Sequence, residues 1–167
     1  MASANREYKD RLFHFIFSEE SYKDWALSLY NAVNHTHYTD TDLLTFNTIR
    51  EVMYFGMHND VSFLIDTADL YTEMNLYEEQ SSFCPNMPLR KLQYTGDLYE
   101  KYLLENKRNK YVRTLIILPV PKLVTFYIGT DEQPDEQILR LSDSFPEGAE
   151  SDMNLHPHAV FSAYAIA

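Results

Sequence analysis

Two stretches of alternating polar and apolar residues lie close together near the middle of the chain. In Asn59-Asp60-Val61-Ser62-Phe63-Leu64-Ile65-Asp66, a strand period of two puts Val61, Phe63 and Ile65 on one face and Asp60, Ser62 and Leu64 on the other. In the segment from Glu73 to Ser82, Met74, Leu76, Glu78 and Gln80 share one face while Asn75, Tyr77 and Glu79 share the opposite one. Thr67 to Glu73 is long enough for a hairpin connection, so the two stretches are expected to be neighbouring antiparallel strands.

Helical spacing governs other parts of the chain. Tyr8, Leu12, Phe13, Ile16 and Phe17 predict a short amphipathic helix over Glu7 to Phe17, with Asp10 on its polar side. Ser18 or Ser21 is a candidate cap for a second helix, on which Tyr22, Trp25, Ala26, Leu29, Tyr30 and Val33 form an apolar stripe that places Trp25 in the core. Pro88 suits the first turn of a long helix in which Leu89, Leu92, Gly96, Tyr99 and Leu103 face the sheet, and Arg90, Tyr94, Asp97 and Lys101 face elsewhere. Further strands are expected from Leu43 to Ile49, from Lys122 to Ile128 and, at an edge, from Gln137 to Leu141. Ser142 to Asp152 reads as a polar loop, and Ala159 to Ala167 as a strand-like apolar end.

The chain of 167 residues fits one domain with a sizeable core, and its 45% hydrophobic content, with 13 Tyr and 10 Phe, argues for a folded globule. Cys84 is the single cysteine, so an intramolecular disulfide is excluded, and a reducing cytoplasm is the natural setting. Residues 1–6 form no secretory signal, and no apolar run approaches the roughly 20 residues needed to span a bilayer, so no membrane association is expected. The net charge of −11 works against encounter with nucleic acid. Screening over about 8 Å still lets a local basic patch act, so any DNA affinity should be weak and non-specific.

The chemistry concentrates on the two alternating stretches. Two ionised carboxylates about 4 Å apart repel by roughly 4 kcal/mol at an effective dielectric near 20, and a divalent cation relieves that repulsion. Mg²⁺ suits one or two carboxylates with water and phosphate oxygens completing the shell. Gln80, on the face of Glu78, is placed to orient a water. Acids facing solvent at a sheet edge would give the same spacing. His35 and His37 form a His-x-His pair that lacks a nearby third ligand and reads as a polar loop. Arg90, Lys91, Lys101, Lys107, Arg108, Lys110 and Arg113 are the concentrated basic residues, which suit either phosphate contact or a solvated face.

The segments "NDVSFLID", "MNLYEEQSSFCPNMPLRKLQY" and "PVPKLVTFYIGT", with "YKDRLFHFIFS" before them and "PDEQILRLSDSF" after, resemble in order the blocks of the bacterial recombination-promoting nuclease / putative transposase family of the PD-(D/E)XK nuclease superfamily. The resemblance runs from about Tyr8 to Phe145. It implies an α/β fold with a mixed central β-sheet flanked by helices, a restriction-endonuclease-like core, in one nuclease-like domain over residues 1–167. The implied activity is Mg²⁺- or Mn²⁺-dependent DNA endonuclease action in recombination or the life of a mobile element. Asp60 and Glu78 would ligate the metal, the Glu79 backbone carbonyl would add a ligand, Gln80 would position the attacking water, and Asp10 would stand near the metal as an accessory acid. The superfamily's usual lysine is replaced by Gln80, which hydrogen-bonds but carries no charge.

Family members continue into a further helical region, so truncation or divergence is expected after about residue 150. An exposed apolar end would favour a homodimer. The alternative to an enzyme is a catalytically inactive member serving as a protein- or DNA-interaction module, which the acidic charge favours. A hydrolase acting on something other than DNA would also fit the acids.

Overall fold

A computed structural model of the chain describes residues 12, 13, 15–17, 19–47, 61–69, 71–148 and 161–165, the last five by backbone alone. The architecture is mixed α/β. Residues 12, 13 and 15–17 are helical. Helix α1 (Lys23–Asn34) follows a turn of 3-10 helix at Glu20–Tyr22, and α2 (Met87–Glu105) is the long helix. The strands are β1 (Leu44–Phe46), β2 (Val61–Asp66), β3 (Thr72–Gln80), β4 (Val120–Tyr127), β5 (Ile138–Leu139) and β6 (Phe161–Ala165).

They form one sheet in the order β1-β2-β3-β4-β6-β5. β1, β2 and β3 make an antiparallel meander, with Val61 opposite Tyr77 and Asp66 opposite Thr72, so the expected hairpin is present. β4 then lies parallel to β3, with Glu73 opposite Val120 and Gln80 opposite Tyr127. Parallel neighbours need a crossover, and α2 supplies it. β6 runs parallel to β4 and antiparallel to β5.

Strand alternation divides the core into two layers. On one face Val61, Phe63, Ile65, Tyr77, Val124 and Phe126 pack against Ala26, Leu27 and Tyr30 of α1 and against Phe13. The rings of Phe63, Tyr77 and Phe126 step across three strands edge to face, with centroids 5.3 and 5.6 Å apart, an arrangement the aromatic quadrupole favours. On the other face Met74 and Leu76, with Leu64 and Leu123 beside them, pack under Tyr94, Leu98 and Tyr99 of α2.

Several expectations are corrected. Of the expected inward stripe Leu103 is buried and Tyr99 packs on the core, but the buried line also contains Met87, Lys91, Tyr94, Thr95 and Leu98, whereas Leu89 and Leu92 are 47% and 37% exposed. A stripe drawn through the leucines misses this face because the inward side chains include a lysine, a tyrosine and a threonine. Their burial depends on partners in the sheet, which helical periodicity does not report. Trp25 is 51% exposed and stands on the rim of α1 beside Tyr22. The N-cap of α1 is Tyr22 without a side-chain hydrogen bond, so Ser21 is no cap, and Ser18 lies outside the described residues. Of the expected strand from Leu43 to Ile49, Leu44–Phe46 form β1, Leu43 ends a 3-10 turn, and 48–49 lie outside the described residues; the expected loop after Leu141 begins with a 3-10 turn at Leu141–Ser144. The terminal strand is not a bare edge, because β6 is paired on both sides.

Candidate functional site

Three residues at the end of β3 carry the chemistry expected of the site, and their faces follow from alternation. Tyr77 packs on the α1 side and Leu76 on the α2 side. Glu78 and Gln80 therefore point under α2, and Glu79 points to the α1 side. Glu78 is 1% exposed, Glu79 is also buried and Gln80 is partly exposed. The Gln80 carbonyl accepts from the Ile128 N–H at 2.9 Å, so the strand alternation turns the Glu79 carbonyl toward the β2 side. Asp60 and Asp10 lie outside the described residues. The β2–β3 ladder ends, as described, at Val61 opposite Tyr77, and Glu78 is the next residue of β3.

The first turns of α2 bring two cations to Glu78. Lys91 is wholly buried, and its Nζ donates to the carbonyls of Val124 at 2.8 Å and Leu76 at 3.1 Å. The same Nζ lies 3.1 Å from Glu78 Oε2, in an ion pair outside hydrogen-bond alignment, so Oε2 has no directed donor among the described residues. Its four methylenes cross the layer between helix and sheet, and its ammonium ties β3 to β4. Arg90 Nη2 is 3.6 Å from Glu78 Oε1, and Arg90 Nη1 donates to Gln80 Oε1 at a long 3.4 Å. Burial pulls the Arg90 pKa down, but contact with Tyr94 and the charge of Glu78 more than offset this, so it stands above its ordinary value.

Thr125 joins this cluster from β4. It is the cross-strand partner of Glu78, and its Oγ1, like Thr95 Oγ1 one turn beyond Lys91, is buried without a hydrogen bond among the described residues. Where β4 ends, Gly129 allows a close approach to β3. A Cβ at Gly129 would lie 2.6 Å from the Ser81 carbonyl, so a larger residue would push the two strand ends apart.

The donor set fits a hard divalent cation in its chemistry. Glu78 Oε2 is a buried carboxylate oxygen lacking a directed hydrogen bond, and a neutral hydroxyl oxygen sits on its cross-strand partner. Among the described residues no group of three His, Cys, Asp or Glu side chains gathers, and the remaining expected acids, Asp60 and Asp10, are not among those residues. His35 ends α1 in a left-handed conformation, and His37 follows in the loop.

The expected basic residues do not form one surface. Lys91 is buried and cannot reach a DNA phosphate, which corrects its assignment as a DNA contact. Arg90 is half-buried at the acidic site. Lys101 donates to the Asn47 carbonyl at 3.0 Å, Lys110 pairs with Glu100 at 2.7 Å, and Arg108 reaches the Ile117 carbonyl at 3.4 Å. Lys107 and Arg113 are exposed. At 1.5 Å per helical residue, Glu105, the last residue of α2, stands about 21 Å along the axis from Lys91, and Lys107 lies in the turn just beyond it.

The sequence does not reveal that Lys91 and Thr125 flank Glu78. Lys91 stands out only as a cation one residue from Arg90, and Thr125 joins the site through a parallel pairing that local sequence does not encode. No helix among the described residues is long and apolar enough to cross a membrane. Comparison of the chain with family models, with curated proteins and with solved structures finds no match in any of the three.

Proposed function

We propose that this chain is a metal-dependent phosphodiester hydrolase acting on DNA, with a PD-(D/E)XK-like core and a role in recombination or a mobile element. The observation that carries the reading is a buried carboxylate, Glu78, at the end of a central strand, with Gln80 beside it on the same face and Arg90 touching both. Asp60 immediately precedes Val61, and Val61 pairs with Tyr77, the residue before Glu78. The antiparallel meander followed by a helical crossover to a parallel strand is compatible with the core that the sequence resemblance implies.

In this reading Glu78, Asp60 and the Glu79 carbonyl hold Mg²⁺ or Mn²⁺, which lowers the pKa of a bound water and offsets charge at the phosphoryl group. Gln80 holds the nucleophilic water by its side-chain amide, and its contact with Arg90 fixes the amide's orientation. The guanidinium of Arg90, partly open to solvent, offers a planar fork for a phosphate oxygen.

A non-catalytic interaction module is the second reading. One observation favours it: Lys91 already balances the charge of Glu78 within the fold. Nicking of supercoiled plasmid with Mg²⁺ or Mn²⁺ separates the two. For the enzyme, Asp60→Asn and Glu78→Gln should each lower the rate by about 100-fold or more, and Gln80→Ala by a smaller factor. Absence of cleavage by folded wild-type protein would favour the module.

A further inference from the structure

We infer that Lys91 is a built-in counter-charge that positions Glu78 and opposes divalent-cation binding at it. The inference rests on the metal-dependent reading above and concerns the regulation of that same site. Two fixed carbonyl acceptors, on Leu76 and Val124, lock the ammonium between β3 and β4. Both acceptors belong to the sheet backbone, so the charge stays in place whether or not another cation arrives. A divalent ion on Glu78 would share a carboxylate that is itself almost fully buried with a positive charge already 3.1 Å from Oε2. Solvent screening is weakest in such a place, and repulsion between the ion and the ammonium lowers the ion's affinity.

The carboxylate itself is not fully used by Lys91. Nζ sends directed hydrogen bonds to the two carbonyls, and Oε2 receives only an ionic contact. With the ammonium gone, Glu78 Oε2 and Thr125 Oγ1 would remain as buried hard-oxygen donors on paired strands. Lys91 thus sets the metal concentration at which the site fills. It also holds Glu78 in place when metal is scarce. A lysine that served DNA contact would be exposed, whereas Lys91 is wholly buried.

The test is the thermal midpoint of the full chain as Mg²⁺ and Mn²⁺ are titrated. It compares wild type, Lys91→Met, Lys91→Arg, Glu78→Gln and the double variant Lys91→Met/Glu78→Gln. Lys91→Met should have a lower midpoint without metal and should be rescued by metal, with half-maximal rescue at a concentration about tenfold or more below that of wild type. Lys91→Arg should respond as wild type does. The double variant should fold without metal and show no response, because carboxylate and ammonium leave together. Equal responses in wild type and Lys91→Met that Glu78→Gln abolishes would overturn the counter-charge role while keeping the metal at Glu78. If neither wild type nor Lys91→Met responds, both the role and the metal site fall. A Lys91→Met protein that stays unfolded at every metal concentration while the double variant folds would also overturn it.

Discussion

Glu73 and Glu78 stand at opposite ends of β3, point to opposite faces of the sheet, and are 4% and 1% exposed. Glu73 receives the Tyr30 hydroxyl at 2.9 Å on Oε2 and the Tyr71 hydroxyl at 3.2 Å on Oε1, with Lys122 3.6 Å away and partly in solvent. Glu78 has no such neutral donors among the described residues and is flanked by Lys91 and Arg90. Each oxygen of Glu73 already accepts a directed hydrogen bond from a hydroxyl at a fixed position. A carboxylate balanced mainly by charge keeps acceptor capacity for another partner. Burial therefore does not distinguish the two acids, whereas the kind of partner does.

The largest effect should come from leaving a buried charge without its counter-ion. Glu78→Ala strands the Lys91 ammonium in the core and should cost about 3–5 kcal/mol of unfolding free energy in urea titration. Glu73→Ala leaves a buried tyrosine hydroxyl unpartnered beside an exposed lysine, and should cost about 1–3 kcal/mol. Equal losses would mean that the two ends do not differ in the way their partners imply.

Tyr30→Phe tests the Glu73 end from the other side and should cost about 1–2 kcal/mol, since one hydrogen bond to a carboxylate disappears while Tyr71 remains. It carries a pH signature as well. Burial, then the hydrogen bond to Glu73 and its charge, push the Tyr30 hydroxyl well above the usual tyrosine pKa. The unfolded chain thus releases this proton at lower pH than the native one does. The stabilisation is complete below about pH 10, the ordinary tyrosine value, and falls as pH rises beyond it. Alkaline unfolding followed by circular dichroism should show a shallower loss of stability above pH 10 in Tyr30→Phe than in wild type.

How far the chain announces this arrangement depends on what each part needs. The β2–β3 hairpin follows from alternation alone, because Val61, Phe63 and Ile65 repeat every second residue and the connecting turn is short. Helix α2 follows from its length and from Pro88 in its first turn, but its orientation does not. Lys91 faces inward only because two carbonyls and a carboxylate meet it there, and those acceptors come from strands 15 and 33 residues away. Trp25 fails for the converse reason: its helical phase fits the core stripe, yet Ala26, Leu27 and Tyr30 fill that face. At the site, Glu78 and Gln80 are legible as same-face neighbours, while Thr125 and Lys91 enter through tertiary contact.

The smallest effect should come from the exposed bases at the far end of α2. Lys107 and Arg108 lie in the turn that ends the helix, at the end of the sheet where β3 begins, remote from Glu78. Neither is buried, so Lys107→Glu with Arg108→Glu should leave the thermal midpoint almost unchanged. If DNA crosses this end on its way to the Glu78 site, fluorescence anisotropy should show weaker binding and a log Kd versus log salt slope reduced by about two. The nicking rate at saturating DNA should hold, because Gln80 and Arg90 are untouched. Unchanged affinity would confine DNA contact to the Arg90 end and assign the far bases to solvation of an acidic surface. A reduced rate at saturation would instead mean that the two ends of the molecule are coupled, although about 21 Å of helix separates them.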